Sequence, residues 1–471
     1  LKDSGSMNLT GYLVLLATFV SGMLAAIVLS DGPAAVVLDA ESYWQFGQSV
    51  AAGDVFMQTH LIAYRTPGYP WFVAFCQIIA GPRALATLIA FQGAMCALLV
   101  PLGAWIASRI ASPSHRDIAA ITTAILTMVG ISRLYFARAV LGESLFVFVM
   151  MLHIACVVGL VTGHAKLRWG LAAGLFLGLT ILIRPIGQWL WVAHILLIAP
   201  LVLSRHWSNA ALIRSFIVMG LVTVVVISPW WVRNAKMFGR PFLTEFVGRN
   251  IWIVTFQDQA GAGLALPETP EANRLRDTVQ QFEPTANLVN TWEVSNGLTR
   301  SGMADDEVDR LMRTVAVQAT RKDIGVWTEK YGRRLVNFFR CISDAPPTYT
   351  NDTDLPDGQW IWRAPNGFES FIRGVRFSPH LLANMIISSA LACAWLGLIS
   401  SRRDRVTALW LGAMIGYFAL VTSAIEIPAY RYRLVVEPLM AIMGGCAIAT
   451  FCSRVAISRQ TAVAADASAK N

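Results

Sequence analysis

The stretch "TGYLVLLATFVSGMLAAIVLS", Thr10 to Ser30, sets the fold class, because it is apolar throughout. A helix rising about 1.5 Å per residue needs about 20 such residues to cross a hydrocarbon core about 30 Å thick. The run is long enough. No small-residue cleavage site follows it, so it reads as an uncleaved anchor. Residues 1–6 (LKDSGS), ahead of a plausible initiator at Met7, read as a tag remnant outside the fold.

Further runs of spanning length lie at 84–107, 117–131, 139–162, 167–183, 186–203, 212–231, 381–400, 406–422 and 434–452, making about ten transmembrane helices with the first. The 471-residue chain is 55% hydrophobic and 14% charged, too apolar for an ordinary soluble domain. The expected fold is an all-α polytopic membrane protein.

Orientation follows from the short loops, since Lys and Arg collect on the cytoplasmic side. An inside N-terminus places Arg109, Arg116, Lys166, Arg168, Arg205, Arg214, Arg402, Arg403, Arg405 and Arg454 together in the cytoplasm. Residues 7–231 then form an N-terminal transmembrane module whose first outer loop is 31–83. Residues 232–380 form a small, mostly helical extracytoplasmic cap, 381–452 the C-terminal helices, and 453–471 a polar, disordered cytoplasmic tail. Within the cap, 256–293 reads as loop, 304–339 as helix with Val308, Leu311, Val315 and Ala319 on one face, and 344–366, with its prolines, as irregular.

The net charge of +9 reflects the cytoplasmic bias, and no basic stretch is interleaved with aromatics, which argues against a nucleic-acid partner. Cys76, Cys96, Cys156, Cys393, Cys446 and Cys452 lie in or beside apolar helices and Cys341 in the outer segment, with neither metal nor disulfide spacing. The absence of an internal repeat disfavours transporter folds built from two similar halves.

The first outer loop opens with "LDAESYWQFGQSVAAGD", Leu38 to Asp54. Read as a helix, it sets Tyr43, Phe46, Gly47 and Val50 on one side and Glu41, Gln45, Gln48 and Ser49 elsewhere, the pattern of an interfacial helix. Asp39 at its head can cap the helix, carry chemistry, or do both. The loop closes with "AYRTPGYPWF", Ala63 to Phe72, whose prolines and glycine impose a turn that holds Tyr64 and Arg65 rigidly. Tyr69, Trp71 and Phe72 read as interfacial aromatics.

Outer arginines run against the charge bias: Arg65, Arg133, Arg138, Arg184 in "IRPIG", Arg233 in "PWWVRN", and Arg431 and Arg433 in "YRYR". Singly, each reads as well as a phospholipid contact. Converging at one level, they would hold a phosphate or pyrophosphate in bidentate fashion. Glu143 in "ARAVLGESLFVF" heads the fourth helix, where it complements the helix dipole, and Glu426 and Glu437 flank the YRYR pair as ion-pair partners.

In this order the pieces resemble the C-type glycosyltransferase superfamily, specifically its users of polyprenyl-phosphate sugars: lipid A aminoarabinose transferases, bacterial membrane mannosyltransferases and protein O-mannosyltransferases. The resemblance rests on Asp39 with Tyr43, Arg65 before Pro67, Gly68, Tyr69 and Pro70, an outer Glu143, Arg184-Pro185, Pro229-Trp230 with Arg233-Asn234 and Phe238-Gly239, and Tyr430-Arg431-Tyr432-Arg433. It covers most of the chain and weakens at 256–304 and 344–376. It implies that Asp39 is the general base toward the acceptor and that Arg65 contacts the donor phosphate. Aminoarabinose transferases carry Lys and two prolines where this chain has Arg65-Thr66-Pro67, which points away from aminoarabinose as the sugar.

The chemistry is consistent with the residue types. A polyprenyl-phosphate sugar already has a good leaving group, so it needs positive charge around the departing phosphate. The acceptor hydroxyl or amine needs a carboxylate within about 3 Å. The expectation is an inverting transferase acting on a polyprenyl-phosphate-sugar donor and a lipid, glycan or protein acceptor at the periplasmic face of a bacterial inner membrane. Asp39 is the expected base with Glu41 second, Arg65, Arg184, Arg431 and Arg433 hold the phosphate, and Tyr43, Tyr64, Arg138, Glu143, Arg233 and Tyr430 line the substrates. No cofactor is expected to be required, with a divalent ion bridging Asp39 and the phosphate as an open alternative. The competing class is a flippase or transporter of lipid-linked saccharides. Transporters place polar groups at mid-membrane, whereas the ionisable residues here gather at outer helix ends.

Overall fold

The structure, a computed structural model, describes residues 39–129, 136–162, 166–203, 209–257, 264–340, 391, 402–426 and 430–469. The expected anchor at 10–30, nearly all of the span at 381–400, Arg133, Cys341, Cys393 and the irregular 344–366 lie outside these residues.

Among the described residues eight α-helices precede the cap: α1 (Asp39–Ala51), α2 (Gly68–Ala80), α3 (Ala84–Ile110), α4 (Arg116–Val129), α5 (Glu143–Thr162), α6 (Lys166–Ile183), α7 (Leu190–Leu203) and α8 (Asn209–Phe238). The cap contains α9 (Val247–Trp252), α10 (Pro270–Phe282), α11 (Thr291–Arg300), α12 (Asp305–Lys322) and α13 (Ile324–Arg340). The chain closes with α14 (Arg402–Ile425), a helical turn at Tyr430–Arg433 and α15 (Glu437–Ala469). Among the described residues there is no strand.

Among the described residues five segments are long and apolar enough to cross a membrane: Gly68–Ile110, Glu143–Thr162, Ala210–Phe238, Arg405–Ile425 and Glu437–Ala456. Leu167–Ile183 and Pro185–Ala199 are shorter apolar helices. The protein is therefore an integral membrane protein. Helix α5 is apolar on every face and largely enclosed, as a central helix must be.

Glycines set the crossing of α6 and α8. A Cβ at Gly170, Gly174 or Gly178 of α6 would come within 2.6 Å of Ser215 O, Met219 O or Val226 on α8, so the spacing of four presents one bare stripe to the neighbour. A polar chain ties the bundle at depth. Trp410 Nε1, which can only donate, bonds His194 Nδ1 at 3.0 Å; this fixes the tautomers of the next links, His194 Nε2 to His153 Nε2 at 2.8 Å and His153 Nδ1 to Ala173 O at 2.9 Å. The chain joins α14, α7, α5 and α6. At the end opposite the cap, Arg109 lies 5.4 Å from the Trp105 ring and Arg168 5.6 Å from the Trp169 ring, an arginine and aromatic girdle.

The cap has its own core of Trp252, Phe256, Leu275, Val279, Leu298, Val308, Met312 and Val315. Two expectations about it change. Part of 256–293 is helix, because Thr269 caps α10 by accepting from Ala272 N, Pro270 opens it, and Ala272, Leu275 and Val279 form its buried face. The helix expected across 304–339 breaks at Asp323 into α12 and α13. The tail expected to be disordered continues α15 to Ala469, in keeping with its alanine content.

Candidate active site

Among the described residues four helices begin on a carboxylate that faces an arginine; one, Asp305 with Arg249, belongs to the cap, and the other three belong to the bundle. Asp39 heads α1 and accepts from Arg65 Nη2 at 2.5 Å; Glu143 heads α5 with Arg184 Nη1 at 2.7 Å; Glu437 heads α15 with Arg433 Nε at 3.9 Å. A helix N-terminus favours negative charge by about 0.3–1 kcal/mol near the surface, and buried charges persist when paired. Glu143, Glu437 and Arg433 are buried, whereas the Asp39 side chain is 35% exposed. Of the three carboxylates, Asp39 is the one open to an incoming molecule.

The pairs adjoin one another. Thr66 Oγ1 donates to Ile183 O at 3.4 Å, so Arg65 and Arg184 each stand one residue from a shared contact. Gly68 makes that contact possible, since a Cβ there would fall 2.7 Å from Ile183 N. Glu143 and Glu437 line the same cleft with Leu434 and Pro438, and Arg184 lies 5.5 Å from the ring of Tyr432, the neighbour of Arg433. Arg433 Nη1 also donates to Phe339 O at the end of α13. These contacts run from Arg65 through Thr66 and Ile183 to Arg184, and from Arg184 through Tyr432 to Arg433, a row of arginines at the cap end of the bundle.

Around Arg65 the loop is aromatic. Its Nη1 donates to Tyr43 Oη at 3.3 Å, and its Cζ lies 4.8 Å from the Tyr43 ring and 5.3 Å from the Tyr64 ring. Burial works against the cation, but Tyr43 and the Asp39 charge more than offset it, and the guanidinium is held above its ordinary value. Burial likewise pushes the Tyr64 hydroxyl up.

Other expected residues are placed differently. Glu41 is exposed and accepts from Gln45 Nε2 at 3.1 Å within α1, away from the Asp39–Arg65 pair. Arg233 does not reach the row: its five N–H groups meet five acceptors, Phe56 O, Ile62 O, Met57 O, His60 O and Asn234 Oδ1, at 2.7–3.1 Å. It clamps the first outer loop onto α8. Arg138 is half-buried in the connection before α5, between Ala137 and Ala139, whose carbonyls Gln92 Nε2 grips at 2.8 Å. Tyr430 and Arg431 belong to the Tyr430–Arg433 turn, and their side chains lie outside the described set.

Several contributors escaped the sequence. Tyr69, expected at the interface, is fully buried and donates to Gln92 Oε1 at 3.0 Å, so it braces the connection that delivers Glu143. Arg249 bonds Asp305 Oδ1 at 2.5 Å, and Asp305 Oδ2 accepts from Ala63 N at 2.6 Å, locking the cap to the closing turn of the loop. An acid heading an amphipathic helix, as Asp305 heads α12, was the available signal.

The Asp39 carboxylate holds Arg65 Nη2 at 2.5 Å, and among the described residues no group of three or more His, Cys, Asp or Glu side chains stands together as a metal site.

Neither a protein-family model nor a curated protein sequence matches this chain. Solved structures do. The Archaeoglobus fulgidus oligosaccharyltransferase tethered to an acceptor peptide matches over 94% of this chain and 50% of its own, at 13% identity and TM-score 0.51. The chain has a C-type glycosyltransferase fold. Archaeal oligosaccharyltransferase AglB from Archaeoglobus fulgidus, in complex with an inhibitory peptide and a dolichol-phosphate, matches over 96% of this chain and 52% of its own, at 14% identity and TM-score 0.50. ArnT from Cupriavidus metallidurans bound to undecaprenyl phosphate aligns over 96% of this chain and 80% of its own, at 14% identity and TM-score 0.36. The C-type fold accounts here for the bundle with a cap over the Asp39 end. This chain spans about half the length of the two oligosaccharyltransferase chains.

Proposed function

We propose that this protein is an inverting glycosyltransferase that moves a sugar from a polyprenyl-phosphate carrier to an acceptor, at the periplasmic face of a bacterial inner membrane. The observation that carries this reading is the half-open Asp39 carboxylate bonded to Arg65 at the head of the arginine row. The likeness to an oligosaccharyltransferase in complex with dolichol-phosphate supports a lipid-phosphate donor.

In the proposed step the acceptor O–H or N–H attacks C1 of the donor sugar as the bond from C1 to the phosphate oxygen breaks. The electron pair leaves with the phosphate, and the acceptor proton passes to Asp39. One displacement inverts C1. Arg65 and Arg184 stabilise the charge gathering on the phosphate, and Arg433 stands behind them. Each arginine already holds a carboxylate, so the entering phosphate exchanges one anion for another instead of meeting bare cations. For Asp39 the exchange hands Arg65 to the phosphate and turns the carboxylate toward the acceptor.

Mass spectrometry of lipid copurified with the protein tests the donor. A polyprenyl phosphate carrying a sugar is expected, and ordinary phospholipid alone in repeated preparations would remove the donor assignment.

A further inference from the structure

Three aromatic rings beside the Asp39–Arg65 pair belong to neither hydrophobic core. Tyr64 comes from the closing turn of the first loop, Phe246 stands before α9 and Trp292 opens α11. Their centroids lie 5.5 Å (Tyr64–Phe246), 6.2 Å (Phe246–Trp292) and 6.0 Å (Tyr64–Trp292) apart, with Phe246 tilted 32° and 34° from the other two. Trp292 is 40% exposed. The patch is rigid, because Glu245 N bonds Ala63 O at 2.8 Å and Asp305 holds Ala63 N, one residue before Phe246 and one before Tyr64. Arg65 lies 5.9 Å from the Phe246 ring, and Arg249 stands 5.3 Å from Tyr64.

We infer that Tyr64, Phe246 and Trp292 form a stacking platform for a pyranose ring of the acceptor, so that the acceptor is a glycan; this rests on the transferase reading above. Aromatic faces are electron-rich, and the C–H face of a pyranose is its apolar, slightly positive side. The ring hydroxyls at the rim then need charged or polar partners, which Asp39 and Arg65 supply. A lipid chain would gain nothing from those charges. The position also separates the two substrates. The donor phosphate falls to the row that runs from Arg65 to Arg184 and Arg433 at the helix ends, whereas Phe246 and Trp292, which take the acceptor ring, are supplied by the cap.

The full chain, labelled with 5-fluorotryptophan and held in lipid nanodiscs, gives a fluorine resonance assigned to Trp292 by its loss in Trp292→Phe. Methyl pyranosides should shift that resonance saturably, whereas sorbitol, an acyclic polyol, and a short polar peptide should not. No shift with any pyranoside, or an equal one with sorbitol or the peptide, overturns the platform. In a transfer assay with a glycan acceptor, Trp292→Ala should raise the acceptor KM about threefold to tenfold at unchanged donor affinity, with Trp292→Phe restoring most of it. An unchanged acceptor KM also overturns it. Loss of the transferase reading would show differently, as no Asp39-dependent transfer to any acceptor.

Discussion

Asp39 and Glu41 are two residues apart on one helix, yet the first faces Arg65 and the second faces out toward Gln45. Asp39→Asn should leave the protein folded and lower sugar transfer by about 10²–10⁴, the usual contribution of a general base. Glu41→Gln should keep a near wild-type rate; equal losses in both variants would show that the charge of the helix head matters and not a base. Arg65→Lys should not rescue Arg65→Ala, because a single ammonium cannot reach Asp39 and Tyr43 together while stacking on the rings. Arg233 tests the opposite role. Arg233→Lys leaves several loop carbonyls without donors, each costing about 1–3 kcal/mol when buried. It should lower the unfolding temperature markedly, and an unchanged midpoint would count against the clamp.

At the scale of elements, the glycine stripe of α6 sets where Arg184 stands, because α6 ends one residue before it. Gly174→Leu would drive a side chain into Met219 O and Val222, and overpacking of this kind costs about 1–3 kcal/mol or more. Stability and donor affinity should fall together, whereas Gly220→Ala, with open space around its Cβ position, should change neither. The first loop contributes a pH dependence through Asp54, which accepts from Gln58 N at 2.7 Å and from Thr59 N at 2.9 Å. Burial pushes its carboxyl up, but the Thr59 and Gln58 hydrogen bonds and the charge of His60 pull it down further, below the ordinary 3.8. A lowered folded value means that its stabilisation is present above 3.8 and is lost as pH falls through that lower value. Exchange of the Gln58 and Thr59 amides should quicken over that interval, and Asp54→Asn should abolish the step.

These elements also mark what the sequence could disclose. Apolar runs gave the spanning helices because burial in lipid leaves composition little freedom, and Asp39 and Arg65 stood out because charge is scarce in such a chain. Arg233 reads from the sequence as a substrate-lining residue because its partners are backbone carbonyls more than 170 residues away, which no side-chain pattern records. Gln92 and Tyr69 were hidden for the same reason, as a buried pair joining α2, α3 and the connection before α5. The α6 stripe and the Thr269-Pro270 start of α10 were legible in principle. Polar composition masked the latter, since a helix with one narrow apolar face has a low average hydrophobicity.

For the whole molecule, the cap, the first loop and the arginine row share one end, while the Trp105 and Trp169 girdle with Arg109 and Arg168 marks the other. Under the proposed function the girdle end, where the charge bias falls, is cytoplasmic and the cap faces outward. This gives a sharp test, because α15 starts at Glu437 in the row and carries exposed Cys452 toward the girdle end. In a background whose other cysteines are replaced, Cys452 should resist a membrane-impermeant maleimide in intact cells and react after permeabilisation. A cysteine at exposed Glu268 in the cap should react in both conditions. The reverse pattern would put Asp39 on the cytoplasmic side, where a soluble nucleotide sugar is the accessible donor, and would remove the reason for an arginine row set at the helix ends to take a phosphate from the bilayer.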